Sequence, residues 1–203
     1  MLKCIIFDFD GVIIDNYELN FELSSKKVKN LTREEHRALF DGNIHIEKDK
    51  LKHRETEFNF AASFQEHKLT AKINPQIKDT LEKLSQKFTI GIISSAKEMG
   101  IKTFLQNNSL QSLFSFMYTY ETHLLKDHKF KMVFDNFKLK PEECIYITDT
   151  VGDINEAQKA HVKSIAVTFG YHERERLQKA KPFRIISHIT QLIPTIEEIQ
   201  KLK

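Results

Sequence analysis

The chain has 203 residues, 40% of them hydrophobic and 29% charged, with 31 basic against 28 acidic side chains and a formal net charge of +3. That length suits one substantial domain, or one domain carrying a smaller insertion, and so near a balance of charge argues against a nucleic-acid partner. No apolar run approaches the ~20 residues a membrane-spanning helix needs, and "MLKCIIFDFD" lacks the pattern of an export signal, so a cytoplasmic protein with no membrane partner is expected.

In chain order, residues 4–8 form an apolar, β-rich run ending in two carboxylates, Asp8 and Asp10, followed by Gly11. Mutual repulsion and desolvation both oppose such a placement, so a compensating positive charge is expected nearby. Residues 16–74 then change rhythm. Their apolar positions recur at helical spacing: Tyr17, Phe21, Val28; Leu31, His36, Leu39, Phe40; Phe58, Phe60, Ala61, Phe64. "LTREE" predicts a capping box of Thr32 and Glu35, "FDGN" (40–43) a turn, and Asp15 a cap for the first of these helices. His36, His45, His53 and His67 fit no metal-ligand spacing and read as packing or surface residues.

Asn74-Pro75 marks a return, with a helix over 75–88. Further strands are predicted at 89–94, 116–120, 144–149, 164–169 and 184–187, with helices at 96–110, 129–139 and 153–162, the last beginning at Asp153. Continuous apolar strands alternating with helices imply an α/β fold: a Rossmann-like parallel sheet sandwiched by helices, with an inserted α-helical cap. The boundaries are a core of 1–15 and 75–203 and a cap of 16–74. Cys4 and Cys144 lie inside strands and read as buried thiols rather than a disulfide.

In open parallel sheets ligands bind beyond the carboxyl ends of the strands. There the sequence delivers Asp8 and Asp10, then Ser94 and Ser95, then Lys126, then Asp149 and Asp153. Crowded carboxylates suit a hard divalent cation, and a lysine and hydroxyls beside it suit phosphate oxygens. Two aspartates one residue apart can divide the work, one attacking phosphorus and the other moving the proton. Each residue also has a plainer reading. Asp8 and Asp10 could be a polar strand end and its turn, Ser94, Ser95 and Asp153 could cap helices, and Lys126 could be a solvated lysine among lysines.

Taken together, "DFDGVIID" (8–15), the serine after the second strand, the lysine and "DTVGD" (149–153) resemble the haloacid dehalogenase-like superfamily. The helical insertion resembles its phosphoglycolate-phosphatase-like branch. The resemblance spans essentially the whole chain. It implies a Mg²⁺-dependent phosphatase acting on a small phosphorylated substrate, as monomer or homodimer. Asp8 would be the nucleophile and Asp10 the general acid/base. Asp8, the Asp10 carbonyl, Asp149 and Asp153 would serve the metal. Phosphate would meet the Phe9 and Asp10 N–H groups, Ser94 (Ser95 as fallback) and Lys126, with Lys129 the second choice. Thr148 stands where glycine is common, and no Lys-Pro pair marks the lysine. The same resemblance admits a sugar-phosphate mutase or a weakly catalytic regulatory protein.

Overall fold

The computed structural model describes residues 1–201. β1 (Cys4–Phe7) enters a helical segment: α1 (Tyr17–Lys27), α2 (Arg33–Ala38), α3 (Ile44–Glu47) running into a 3₁₀ stretch at Lys48–Arg54, and α4 (Phe60–Thr70). The chain then alternates: α5 (Pro75–Ser85), β2 (Thr89–Ile93), α6 (Glu98–Asn107), β3 (Phe116–Tyr118), α7 (Lys126–Phe137), β4 (Cys144–Thr148), α8 (Val151–Lys159), β5 (Lys163–Val167), α9 (Arg174–Lys179), β6 (Arg184–Ile186) and α10 (Leu192–Lys201).

The six strands form one parallel sheet in the order β3-β2-β1-β4-β5-β6. β1 lies at the centre, with Phe7 in register with Ile92 on one side and Ile147 on the other. Strand order reverses here, which opens a crevice at the carboxyl ends of β1 and β4. The strands are buried on both faces because helices cover both. Ile5, Phe7, Ile92 and Ile147 pack towards α5, α6 and α10, while Cys4, Ile6 and Tyr146 pack towards α7 and α8. Each fully buried side chain of this kind contributes roughly 1.5–3 kcal/mol. Cys4 and Cys144 face each other across β1 and β4 as free, buried thiols.

The capping box of α2 is present, with Thr32 accepting from the Glu35 N–H and Glu35 from the Thr32 N–H. Asn74 caps α5 ahead of Pro75. Three expectations are corrected. Asn16, not Asp15, stands at the N-cap of α1, and its side chain makes no capping bond because its amide is drawn to Asp10 at 2.6 Å. The helix expected over 129–139 begins three residues earlier, so Lys126 is its first residue instead of a loop residue. The helix carrying Asp153 begins at Val151, with Thr150 as its cap, which frees the Asp153 carboxylate for other partners.

The helical segment is seated on the sheet's carboxyl edge. The Gly152 N–H donates to Phe40 O at 2.9 Å, and a Cβ on Gly152 would come within 2.2 Å of Gly42 O, so only glycine admits that approach. His172, buried, accepts from the Val151 N–H at 3.1 Å and donates to Arg37 O at 2.9 Å, joining α8 to α2.

Candidate active site

Asp8, Asp149 and Asp153 meet at the ends of β1 and β4, all of them buried or nearly so. Lys126, 1% exposed, reaches in from α7 and places its ammonium 2.9 Å from Asp8 Oδ2 and 2.7 Å from Asp153 Oδ2. This is the compensating charge the strand-end acids required. Burial alone would push the Asp153 carboxyl up, but Lys126 and hydrogen bonds, including one from the Thr148 hydroxyl, hold it down at about 2. Burial would likewise lower Lys126, yet Asp153 and Asp8 outweigh it and hold the ammonium charged. Asp8 goes the other way. Burial lifts its carboxyl well above the usual range, with Lys126 opposing and Asp153 reinforcing the rise.

Asp149 follows the same physics with less help. Its Oδ2 accepts the Tyr171 N–H at 2.7 Å, while Oδ1 is buried with no hydrogen-bond partner. Burial raises the carboxyl to about 7 against the pull of the Tyr171 N–H. A buried oxygen without a donor, beside two further carboxylates, fits a cation that is added to the site. Gly11 makes room for the Asp149 carboxylate: its φ is +78°, and a Cβ there would lie 2.0 Å from Asp149 Oδ2. Among the described residues no three acidic, histidine or cysteine side chains converge as ligands. Asp153 Oδ2 is already engaged by Lys126, Thr148 and Tyr146. The donors that fit a hard cation are therefore Asp8 and Asp149, with water and phosphate completing the shell; Mg²⁺ commonly takes one or two carboxylates in this way.

Asp10 sits in the turn after β1, where the N–H groups of Ile13 and Ile14 return to Phe9 O. A buried relay holds it. Asn16 Nδ2 donates to Asp10 Oδ1, the Tyr171 hydroxyl donates to Asn16 Oδ1 at 3.2 Å, and Asn20 Nδ2 donates to the Tyr171 oxygen at 2.9 Å. His36 closes it through Nε2 on Asn20 Oδ1 at 3.0 Å. Each amide must accept on the side facing the previous donor, so the carboxylate at one end fixes every orientation along the chain.

Over residues 5–167 the sequence matches the haloacid dehalogenase-like hydrolase family. The chain belongs to that family. It is an enzyme, a hydrolase of the phosphatase type. Among its relatives are a phosphoglycolate phosphatase of Synechococcus elongatus, 22% identical over 98% of this chain and 100% of that one, and pyrophosphatase PpaX of Oceanobacillus iheyensis, 26% identical over 96% and 97%. In fold it is similar to a hydrolase from Pseudomonas syringae, with a TM-score of 0.80 at 16% identity, covering 97% of this chain and 99% of that one.

The haloacid dehalogenase-like core is roofed by the helical segment, and a cavity of about 530 Å³ lies between them. Its floor holds Asp8, Asp10, Ser94, Ser95, Lys126 and Asp153. Ser94 Oγ accepts the Ala96 N–H at 3.1 Å, while Ser95 offers its carbonyl to His45 Nε2 at 3.2 Å. Lys129 does not reach the acids. It donates to Ser94 O at 2.6 Å and supports that loop; burial, with Lys126 close by, depresses it to about 7. The Phe9 N–H donates to Asp8 Oδ1 at 2.7 Å. Asn16, Tyr171, Asn43 and Glu156 were not singled out by sequence. Only Tyr171 carried a signal, a residue placed just after the end of β5 and behind a glycine.

Proposed function

We propose that this enzyme is a Mg²⁺-dependent phosphatase that hydrolyses a small phosphorylated metabolite through an aspartyl-phosphate on Asp8. The observation that carries the reading is the Lys126 ammonium set between Asp8 and Asp153 on the floor of the roofed cavity. An ammonium held there neutralises the charge that builds on the phosphoryl oxygens in the transition state. The names of two relatives make phosphoglycolate and pyrophosphate the first substrates to assay.

Substrate phosphate binds above Asp8, its oxygens taking hydrogen bonds from Lys126 and the Ser94 hydroxyl. An Asp8 carboxylate oxygen attacks phosphorus as the bond to the leaving oxygen breaks. Asp10, held in its rotamer by Asn16, gives that oxygen a proton. Asp10 then takes a proton from water as the water attacks the aspartyl-phosphate, which releases inorganic phosphate and restores Asp8. Asp8, Asp149 and the Asp10 carbonyl would hold Mg²⁺, whose charge favours ionised carboxylates and steadies the phosphoryl group. Asp153 serves this arrangement by fixing Lys126. The helical roof excludes bulk water and supplies the specificity contacts.

The test is phosphate release from phosphoglycolate, pyrophosphate and an aryl phosphate, with and without Mg²⁺, alongside Asp8→Asn. Undiminished release by Asp8→Asn would refute the mechanism. Conversion of a sugar phosphate to its isomer without free phosphate would reassign the enzyme as a mutase.

A further inference from the structure

Glu156 is a buried acid on α8 that the chemistry above does not use. Its two carboxylate oxygens have partners from two different parts of the molecule. Oε2 accepts the backbone N–H of Lys126. Oε1 accepts Asn43 Nδ2, from the turn at the tip of the helical segment, at 2.7 Å. The first of these bonds answers a local need. Lys126 opens α7, the preceding Leu125 has no side chain to cap it, and a helix's first N–H groups are otherwise orphaned. The cap comes instead from α8, 30 residues away in sequence. The second bond ties that cap to the roof. Asn43 also donates to Leu124 O at 3.1 Å, so the same side chain touches the loop leading into α7. Next to it, the Gly152 N–H takes Phe40 O at 2.9 Å, which seats the turn on α8.

We infer that Glu156 is a positioning residue that couples seating of the 40–43 turn to the placement of Lys126. With the turn seated, Asn43 fixes one oxygen of Glu156 and the other fixes the base of α7, which aims the lysine at Asp8 and Asp153. With the turn lifted, Glu156 loses a partner and the loop through Leu124 loses another, so the lysine is less well held. The roof would then favour catalysis only when closed. This deepens the phosphatase reading and rests on it for its kinetic consequence, but not for its structural one.

Amide hydrogen exchange tests the structural part without any substrate. Asn43→Ala removes the bonds to Glu156 and Leu124 O and the cap on the His45 N–H, all outside α7, yet it should raise exchange at the Lys126 N–H by about tenfold, the worth of one hydrogen bond. If Glu156 merely caps α7, the exchange rate at Lys126 stays at the parent value and the coupling is refuted. Turnover of an aryl phosphate tests the consequence. Asn43→Ala and Glu156→Gln should each lower kcat by about tenfold with KM changed less, and the double variant should lose far less than the product of the two, because both remove the Asn43–Glu156 contact. Independent, multiplying losses would overturn the coupling. Pairing Asn43→Asp with Glu156→Gln exchanges donor and acceptor across the gap and should raise kcat above that of Glu156→Gln alone, with the bond to Leu124 O still missing. Should Glu156→Gln fail to fold, the exchange measurement on Asn43→Ala still decides. Full turnover in Asp8→Asn would remove the phosphatase reading while leaving the exchange result to stand or fall alone.

Discussion

At the rim of the sheet, Asp8 and Asp153 share one ammonium, that of Lys126, and the buried Asp149 beside them has only the Tyr171 N–H. In the helical roof, ion pairs such as Arg33–Glu18 and Lys26–Glu22 lie in solvent. The same residue types therefore carry different weights. At the rim, loss of one partner strands a charge in a medium that cannot hydrate it. In the roof, water replaces a lost partner, and such pairs contribute at most about 1 kcal/mol. The roof depends instead on its seam, where His36 is enclosed by Tyr17, Phe21, Phe40 and Tyr171.

Substitutions can probe that contrast. The largest effect is expected at the rim, where Asp8→Asn should reduce phosphate release at least about a thousandfold, read by initial rates with Mg²⁺. Lys126→Met should come next, destabilising the metal-free protein by about 3–5 kcal/mol as the carboxylates lose their counter-charge. Thermal or urea unfolding reads this, and Mg²⁺ should recover part of the loss. A small effect of Lys126→Met would place the rim in the same class as the roof.

The seam should respond to pH. Burial, with Arg37 and Arg33 adding, lowers His36 from 6.5 to about 4. On acidification the unfolded chain therefore binds the proton first. The stabilisation from a neutral buried ring is complete above pH 6.5 and is lost as pH falls towards about 4. The loss is up to about 3 kcal/mol. His45 shifts in the same window, so the decisive measurement is the difference in unfolding free energy between the parent and His36→Phe across it. The parent's stability relative to His36→Phe should fall as pH falls through that window. The smallest effect belongs to the roof's surface: Thr32→Ala, which removes the hydroxyl of the α2 capping box, should cost about 1 kcal/mol in an unfolding titration and leave turnover unchanged.

The strands were legible because each is an apolar run of strand length, and the helices because their apolar positions recur at helical spacing. Boundaries slipped where a polar side chain had a distant engagement. Asn16 fails to cap α1 because Asp10 claims its amide, and α7 starts at Lys126 because Glu156 supplies its cap. Asp8, Asp10, Asp149 and Asp153 could be read as a set because each ends a strand or opens the element after one. Spacing ranked Lys126 ahead of Lys129 as the residue nearer the loop after β3, but both lie on α7 and both are buried, and only the folded chain shows that Lys126 reaches Asp8 while Lys129 reaches Ser94 O.

By itself the sequence determined a parallel sheet with acids at its carboxyl edge and a helical insertion after the first strand, because periodicity and strand ends are local properties. The tertiary structure alone decided which polar groups serve those acids. Asn43 meets Glu156 across 113 residues and Tyr171 meets Asn16 across 155. Contacts of that range leave no trace in local pattern; they exist because the roof is folded back onto the edge of the sheet.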